Sequence, residues 1–304
     1  MVSWPDLGTR VTLRYRRPAG SVPPLTDAVG HLLAVDPVVR VRTKTGAVVE
    51  VAPAAVVALR VLTDAPVRTA QIRALEHAAA AGWPGVEQTW LDGWLLRAGH
   101  GATFGANSAV PLDISADASA IPAIVTWYTR RDITPRLAIP DRLLPLPAGV
   151  TSERADRVLV RDVRDVSGRE PDQSVTLSAR PDDAWLRLYH REVPFDVLTA
   201  VVDGELMFGT YPGLAVARAA VTNAPDGTRG VGLSAMRAAD DQAGPASRVC
   251  EALLAWGARR GASRSYVRVG DDDTSAITLA ESLGFRLHHR CRYFPAPSGR
   301  WDTV

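Results

Sequence analysis

Short runs in which apolar and polar residues alternate fill the first part of the chain, and this is the pattern of strands with one buried face. Residues 10–15, 38–43 and 47–51 alternate in this way, with turn residues such as Gly46 between them. The spacing of these runs leaves no room for a helix. The pattern predicts a small β-barrel, SH3-like in size, over residues 1–66.

Residues 67–170 mix helical and extended patterns. Ile72, Leu75 and Ala79 share the apolar face of a helix that ends at Gly82. A hairpin, a second helix and two short strands are predicted after it. None of these elements is joined by a loop of the phosphate-binding type.

Residues 171–304 repeat this order with clearer patterns. An apolar strand at 231–236 precedes a helix whose inner stripe includes Val249 and Leu253. Another strand, another helix and a long strand at 286–294 follow. The repetition predicts an α/β fold with a mixed sheet, built as two tandem units after the small barrel.

Composition and charge narrow the class of protein. The 304 residues are 46% apolar and 22% charged, as in globular chains, and a net charge of +2 argues against wholesale binding of nucleic acid. No run approaches the ~20 apolar residues of a membrane span and no signal-peptide pattern opens the chain, so we expect a cytoplasmic protein without a membrane partner. Cys250 and Cys291 lack metal-ligand spacing, so we expect buried thiols and no metal.

The segment from Asp241 to Ala246 connects the apolar strand to the helix that follows it. N–H groups in the first turn of a helix lack intrahelical partners and the helix dipole favours an anion there, so the segment suits a pyrophosphate. Pro245 fits the first helical position, although it removes one donor. By itself, the segment is equally consistent with an ordinary connection that has a glycine cap.

Two segments of the chain resemble the GNAT N-acetyltransferases. Gly244 and Ala246 match the acetyl-CoA loop of that family, Arg/Gln-x-x-Gly-x-Gly/Ala, although Asp241 stands where Arg or Gln is usual. The second segment begins at Asp273-Thr-Ser-Ala276 and ends at Leu283-Gly-Phe285. The whole chain is similar to an actinobacterial group in which an SH3-like domain and a degenerate GNAT-like unit precede the acetyltransferase unit. That organisation implies three domains, at residues 1–66, 67–170 and 171–304.

The resemblance implies an acetyl-CoA-dependent N-acetyltransferase, in which an amine of a small molecule or a protein attacks the thioester directly. Acetyl-CoA would be a co-substrate. In the family, one strand contacts the pantetheine arm, the loop and helix start hold the pyrophosphate, and a second helix lies beside the thiol. The residues implied for these contacts are Met236, Ala238, Gln242, Ala243, Gly244, Ala246, Ser247, Asp273 and Ala276.

Candidates for the catalytic groups lie near the implied site. Glu205 is the candidate general base, and Tyr293, with Tyr266 as an alternative, is the candidate acid for the leaving thiolate. A solvated surface carboxylate and a packed strand tyrosine are the structural alternatives. Asn107 and Ser108 are candidate residues of the acceptor pocket, although a turn or a strand end would explain them as well.

His288 and His289 are adjacent on a predicted strand. Because successive side chains of a strand point to opposite faces, we expect one of them to point inward and the other outward. This arrangement would exclude a metal site built from the pair.

Departures from the GNAT pattern leave a second class of function open. Asp241 adds negative charge where the ligand has phosphates, Pro245 removes a donor, and Ala280 replaces the tyrosine that in many relatives protonates the thiolate. A catalytically degenerate acyl-CoA-binding or adaptor protein, whose barrel docks a partner, is therefore the alternative hypothesis.

Overall fold

The computed structural model describes residues 4–5, 7–62, 67–146, 149–166, 172–239 and 243–296. The chain forms two compact units, Met1–Pro66 and Val67–Val304. No helix among the described residues combines the length and the apolar composition needed to cross a membrane.

The first unit is a small antiparallel sheet. Its strands are β1 (Arg10–Arg16), β2 (Leu25–Ala34), β3 (Val39–Thr43), β4 (Val48–Val51) and β5 (Val56–Val61), in the order β4-β3-β2-β1-β5. Alternate residues of β1, such as Val11 and Leu13, are buried, while Arg14 on the other face is paired with Asp27. Since β4 and β5 are the two edges of this sheet, the described strands form an open sheet and do not close into the barrel predicted from the sequence.

The second unit contains six α-helices and eleven strands among its described residues. The helices are α1 (Thr69–Gly82), α2 (Ile121–Thr129), α3 (Asp183–Tyr189), α4 (Phe195–Leu198), α5 (Ala243–Arg259) and α6 (Thr274–Ser282). The strands are β6 (Glu87–Leu91), β7 (Trp94–Ala98), β8 (Ala109–Pro111), β9 (Arg136–Pro140), β10 (Arg154–Asp162), β11 (Thr176–Ser178), β12 (Glu205–Tyr211), β13 (Ala215–Asn223), β14 (Arg229–Ala238), β15 (Arg264–Gly270) and β16 (Arg286–Pro295).

These strands form one mixed sheet in the order β11-β12-β13-β14-β15-β10-β16-β9-β8-β7-β6. Among the described pairs, β14–β15 and β8–β9 are parallel and the others are antiparallel. The apolar stripe of α5, which includes Val249 and Leu253, packs on one face of the sheet, and α1 contacts the opposite face. The mixed α/β fold predicted from the sequence is therefore confirmed.

The parallel strands β14 and β15 separate before they end. Their pairing runs from Gly230 opposite Arg264 to Leu233 opposite Val267, and β14 continues to Ala238 without β15 beside it. Against β13, β14 has one extra residue in this region, and Ala235 adopts a φ of 50°. A bulge with a left-handed non-glycine residue bends the strand and re-aims its backbone. The sheet therefore opens beyond Leu233.

Candidate active site

A cleft of about 550 Å³ lies where β14 and β15 separate. One wall is formed by the end of β14 and the starts of α5 and α6, and the other by the end of α1 and residues 102–105. The floor is the sheet face shared by β10, β15 and β16. The cleft thus lies at the position in the fold where the sequence predicted a ligand.

Most of the residues implied for donor binding lie along this cleft. Met236, Ala238, Ala243, Ala246, Asp273 and Ala276 all line it. Gly244 and Ser247 belong to the first turn of α5, but they are not lining residues, and a Cβ added at Gly244 would meet no atom within 4 Å. Gln242, like Asp241, lies outside the described residues. Space for a ligand is therefore open around the start of α5.

Asp273 has a structural task as well as a place in the cleft. Its Oδ1 accepts hydrogen bonds from the Ala276 N–H and the Ser275 hydroxyl, both at 2.9 Å, which caps the start of α6. Asp273 therefore holds the start of α6 at the edge of the cleft.

Strand register collects polar side chains on the floor of the cleft. Residue Asp156 of β10 lies opposite Gly270 of β15 and Cys291 of β16, and directly opposed residues of neighbouring strands share a face. By the same register, Arg154, Arg268 and Tyr293 point to this face. The chemistry of the floor thus comes from three strands that are distant in sequence.

Asp156 is a buried carboxylate in the cleft, with 3% of its surface exposed. Its Oδ1 accepts a hydrogen bond from the Arg154 Nε at 2.7 Å. Among the described residues, Asp156 and Asp273 are the carboxylates that line the cleft. Sequence reasoning missed Asp156, because Arg154 and Arg157 beside it give the segment the polar character of an exposed strand end.

The two candidate tyrosines both line the cleft, but their hydroxyls differ. The Tyr266 hydroxyl donates to the Ala78 carbonyl at 3.1 Å, so its hydrogen is already used. The Tyr293 hydroxyl instead accepts from the Arg268 Nη1 at 3.0 Å and keeps its own hydrogen for another acceptor. Burial raises the pKa of Tyr293 well above its ordinary value, so the phenol stays protonated.

Between α1 and the floor of the cleft, a buried network holds Arg268 in place. Both carboxylate oxygens of Glu76 on α1 lie 2.7 Å from the Arg268 Nη2, and Oε1 also lies 2.7 Å from the His289 Nε2. Burial by itself would raise the pKa of Glu76, but Arg268 and His289 hold it well below its usual range. Glu76 is therefore a permanently charged partner of Arg268, with no capacity left for a substrate proton.

The prediction that His288 and His289 point to opposite sides is wrong. Both side chains are buried, and their Nδ1 atoms lie 2.8 Å apart. The reason is a bulge in β16, where Val158 pairs with His289 and Leu159 pairs with Leu287, so that His288 is the extra residue. A bulge breaks the alternation on which the prediction depended. Burial and the neighbouring His289 lower the pKa of His288 to about 3.

Glu205, the candidate general base, does not lie along the cleft. It pairs with Arg229 at 3.1 Å and with Arg260, which follows the end of α5, whereas the cleft is at the start of that helix. Two arginine partners explain the side chain as part of a surface ion-pair cluster. The structure therefore does not bring Glu205 together with Tyr293.

Asn107 and Ser108 are buried behind the cleft and do not line it. The Asn107 Oδ1 accepts from the N–H groups of Gly99 and Gly101, and its Nδ2 donates to the Thr103 carbonyl at 2.8 Å. These bonds shape the loop whose residues 102–105 form one wall. The contribution of Asn107 to the pocket is thus indirect.

Neither of the two cysteines lines the cleft. Within the described part of the chain, no group of three or more His, Cys, Asp or Glu could hold a metal ion. Cys250 and Cys291 are buried free thiols, as predicted, and burial raises the pKa of each to about 12. Neither is therefore a reactive thiolate.

Comparison with known proteins decides the family. A family model described as "Probable histone acetyltransferase Rv0428c C-terminal" matches residues 69–294, and one described as "Rv0428c N-terminal Sm-like domain" matches residues 5–60. A protein of Mycobacterium tuberculosis named "Probable histone acetyltransferase Rv0428c" is 71% identical over 306 residues, covering 100% of both chains. The chain belongs to the Rv0428c family of acetyltransferases.

A solved structure supports the fold of this family member. A GCN5-related N-acetyltransferase from Kribbella flavida superposes with a TM-score of 0.52 at 15% identity, covering 75% of this chain and 96% of that one. The GNAT fold expected from the sequence is therefore confirmed, and the second family model gives an Sm-like domain before it. The division of residues 67–304 into two units at residue 170 stays a prediction.

Proposed function

We propose that the chain is an acetyl-CoA-dependent N-acetyltransferase in which an amine attacks the thioester directly. The observation that carries this proposal is the opening between β14 and β15 beside the start of α5. An unpaired strand edge next to the N-terminus of a helix offers hydrogen bonds to an extended acyl chain and an anion site to a pyrophosphate.

The residues present fit the donor. Ala243 and Ala246 at the start of α5 have short side chains, and no protein atom lies within 4 Å of a Cβ built at Gly244, so backbone can approach phosphate oxygens. The end of β14, around Met236, would align the acyl chain and polarise its carbonyl through backbone N–H groups. Acetyl-CoA would supply the activated acyl group.

Asp156 is the general base in this proposal. It replaces Glu205 because it lines the cleft on the same sheet face as Tyr293, whereas Asp273 caps α6 and both oxygens of Glu76 bind Arg268. Asp156 would take a proton from the ammonium form of the acceptor. The free amine then attacks the thioester carbon, and proximity within the cleft supplies much of the rate enhancement.

Tyr293 is the general acid. As the tetrahedral intermediate collapses, the C–S bond breaks and the leaving thiolate takes the proton of the Tyr293 hydroxyl. The Arg268 guanidinium, which donates to that oxygen at 3.0 Å, would stabilise the phenolate until it takes up the second proton, which the attacking nitrogen loses as the neutral amide forms. Ala280 is thus no obstacle to catalysis if Tyr293 supplies the proton.

A protein amine is one acceptor class for this reaction, since the Mycobacterium tuberculosis relative is named a probable histone acetyltransferase. An amine of a small molecule is the other. The identity of the reaction does not depend on this choice, because either acceptor presents a primary amine to the same thioester.

Steady-state CoA release from acetyl-CoA, measured with a panel of amines, tests the proposal. Asp156→Asn should lower kcat/KM by roughly 10²–10⁴-fold, the usual contribution of a general base, with unchanged affinity for acetyl-CoA in isothermal titration. Asp162→Asn is the matched control, because Asp162 is on the same strand but pairs with Arg164 at the surface. Tyr293→Phe should lower kcat, whereas Tyr266→Phe should leave the proton-transfer step intact.

Each result has one interpretation. Acetyl-CoA binding without turnover by any amine would support the adaptor hypothesis instead of the enzyme. No acetyl-CoA binding at millimolar concentration would overturn both. Equal losses in Asp156→Asn and Asp162→Asn would remove Asp156 from the mechanism while leaving the acetyltransferase assignment intact.

A further inference from the structure

Arg97 is a buried cation in the wall of the cleft. It belongs to β7, every residue of which is buried, and only 6% of its surface is exposed. The side chain nevertheless lines the cleft. An arginine in an otherwise apolar strand is rare unless its charge is paired.

The hydrogen-bond partners of the Arg97 guanidinium are few and neutral. Nη1 reaches the Trp83 carbonyl at 3.4 Å and Nη2 reaches the Ser108 hydroxyl at 3.3 Å, both long for a charged donor. Nε is buried without any hydrogen-bond partner. No carboxylate among the described residues pairs with this guanidinium, so its donors are incompletely satisfied.

The other arginines of the cleft floor have carboxylate partners. Arg154 pairs with Asp156 and Arg268 with Glu76, each at 2.7 Å. Arg191 and Arg237, which also line the cleft, are exposed and therefore hydrated. Among the arginines that line the cleft, Arg97 is thus the buried one that has no carboxylate as a hydrogen-bond partner within the described residues.

Leaving a buried charge unpaired is costly, and a half-used arginine fork is geometrically matched to a carboxylate. Arg97 also lies near the proposed catalytic groups, since both its charge and that of Asp156 act on the Tyr293 phenol. The start of α5, where the pyrophosphate is proposed to bind, belongs to the opposite wall. The missing anion is therefore best supplied by the acceptor.

We propose that Arg97 binds a carboxylate of the acceptor, so that the substrate is a primary amine with a carboxylate close to it. This inference rests on the proposed acetyltransferase function. Arg97 would hold the carboxylate while Asp156 receives the proton of the amine at the other end. A free amino acid and a lysine beside an acidic residue in a protein share this chemistry, and the experiment below distinguishes the two sources.

Pairs of acceptors that differ only in one carboxylate test whether this group is recognised. Lysine is compared with lysine amide, and a peptide with the sequence Glu-Lys is compared with one containing Gln-Lys, together with a basic histone-tail peptide. A charge-assisted hydrogen bond is worth about 1.5–3 kcal/mol, so kcat/KM should be roughly 10- to 100-fold higher for the carboxylate member of the pair that is used. Preference within the first pair identifies a free amino acid, and preference within the second identifies a protein acceptor.

The variant Arg97→Met should abolish that difference between paired acceptors while leaving the affinity for acetyl-CoA unchanged. Arg136→Met is the control, because Arg136 stacks on the cleft residue Phe104 but does not line the cleft. The difference should persist in Arg136→Met. Folding of both variants is checked by thermal unfolding, and we expect Arg97→Met to be no less stable, since it removes an unpaired buried charge.

A binding measurement separates this inference from the proposed function. Hexanoate, which carries the carboxylate without the amine, should raise the melting temperature of the wild type but not that of Arg97→Met, whether or not acetyl transfer occurs. Equal kcat/KM for paired acceptors, the best turnover with the basic histone-tail peptide, or weaker acetyl-CoA binding by Arg97→Met would overturn the inference. The last result would assign the anion to CoA.

Discussion

Replacing the buried Glu76 with glutamine should destabilise the protein strongly. The substitution removes a charge that lies 2.7 Å from the Arg268 Nη2 through both oxygens and 2.7 Å from the His289 Nε2, with 3% of the side chain exposed. Removing one partner of a buried pair usually costs about 3–5 kcal/mol, because the other charge stays buried without compensation. We therefore expect the free energy of unfolding to fall by about 3–5 kcal/mol.

The matched control is Glu87→Gln. Glu87 also pairs with an arginine, Arg131, but the Glu87 side chain is 47% exposed, so the same chemical change should cost about 0–1 kcal/mol. Since both substitutions replace Glu with Gln, the difference between their losses in the free energy of unfolding measures the effect of burial. The double variant Glu76→Gln with Arg268→Met removes the stranded cation and should recover part of the loss.

Urea denaturation of the full chain, followed by tryptophan fluorescence, measures these changes. At about 2–4 °C per kcal/mol for a unit of this size, Glu76→Gln should lower the melting temperature by about 6–20 °C. A loss no greater than that of Glu87→Gln would refute the reasoning, because it would mean that Arg268 finds another counter-charge or water when Glu76 is neutral.

Two further predictions concern the donor site and the histidine pair. Gly244→Glu should weaken acetyl-CoA binding at least tenfold, about 1.4 kcal/mol, as measured by isothermal titration. No protein atom lies within 4 Å of a Cβ built at Gly244, so the melting temperature should not change, whereas the new carboxylate would lie at the proposed pyrophosphate site. Unchanged affinity would move the pyrophosphate site elsewhere. In the folded chain His288 stays neutral, because its pKa is lowered from 6.5 to about 3. Between these pH values the unfolded chain binds more protons than the folded one. The free energy of unfolding should therefore fall as the pH drops below 6.5, by at most about 1.4 kcal/mol per pH unit. His288→Asn keeps a donor but does not titrate, and an equally steep stability–pH curve for this variant would contradict the assignment.

Elements with a regular apolar pattern were predictable from the sequence. The stripe of α5 and the apolar run of β14 are buried as their sequence patterns predict, and the turn at Asp92-Gly93 marks the hairpin of β6 and β7. The strands β2 and β11 were not predicted. In β2 the exposed face mixes polar and apolar residues, and β11 has three residues at the edge of the sheet, so neither gives a clear periodicity.

The donor side of the cleft was predictable from the sequence, and the acceptor side was not. The donor side depends on a strand, a loop and a helix start that are consecutive in sequence, so a motif could locate it. The acceptor side depends on pairs such as Glu76 and Arg268, which are separated by 192 residues. Asp156 becomes a cleft residue only because β10 inserts between β15 and β16, and this strand order is not encoded in any local pattern.

Arginines within apolar strands show what sequence and structure each contribute. Arg97 and Arg218 are both buried in strands whose neighbouring residues are buried as well, which is unusual for arginine. In the structure, each nitrogen of the Arg218 guanidinium has a partner: Nε donates to the Leu198 carbonyl, Nη1 to the Ser234 hydroxyl and Nη2 to the Ala200 carbonyl. Arg218 is therefore complete without a ligand, whereas Arg97 keeps a buried Nε with no partner. The two arginines have similar surroundings in sequence, but Arg218 is bound entirely by the protein and Arg97 is proposed to bind the acceptor. Only the distribution of hydrogen-bond acceptors around each guanidinium distinguishes them.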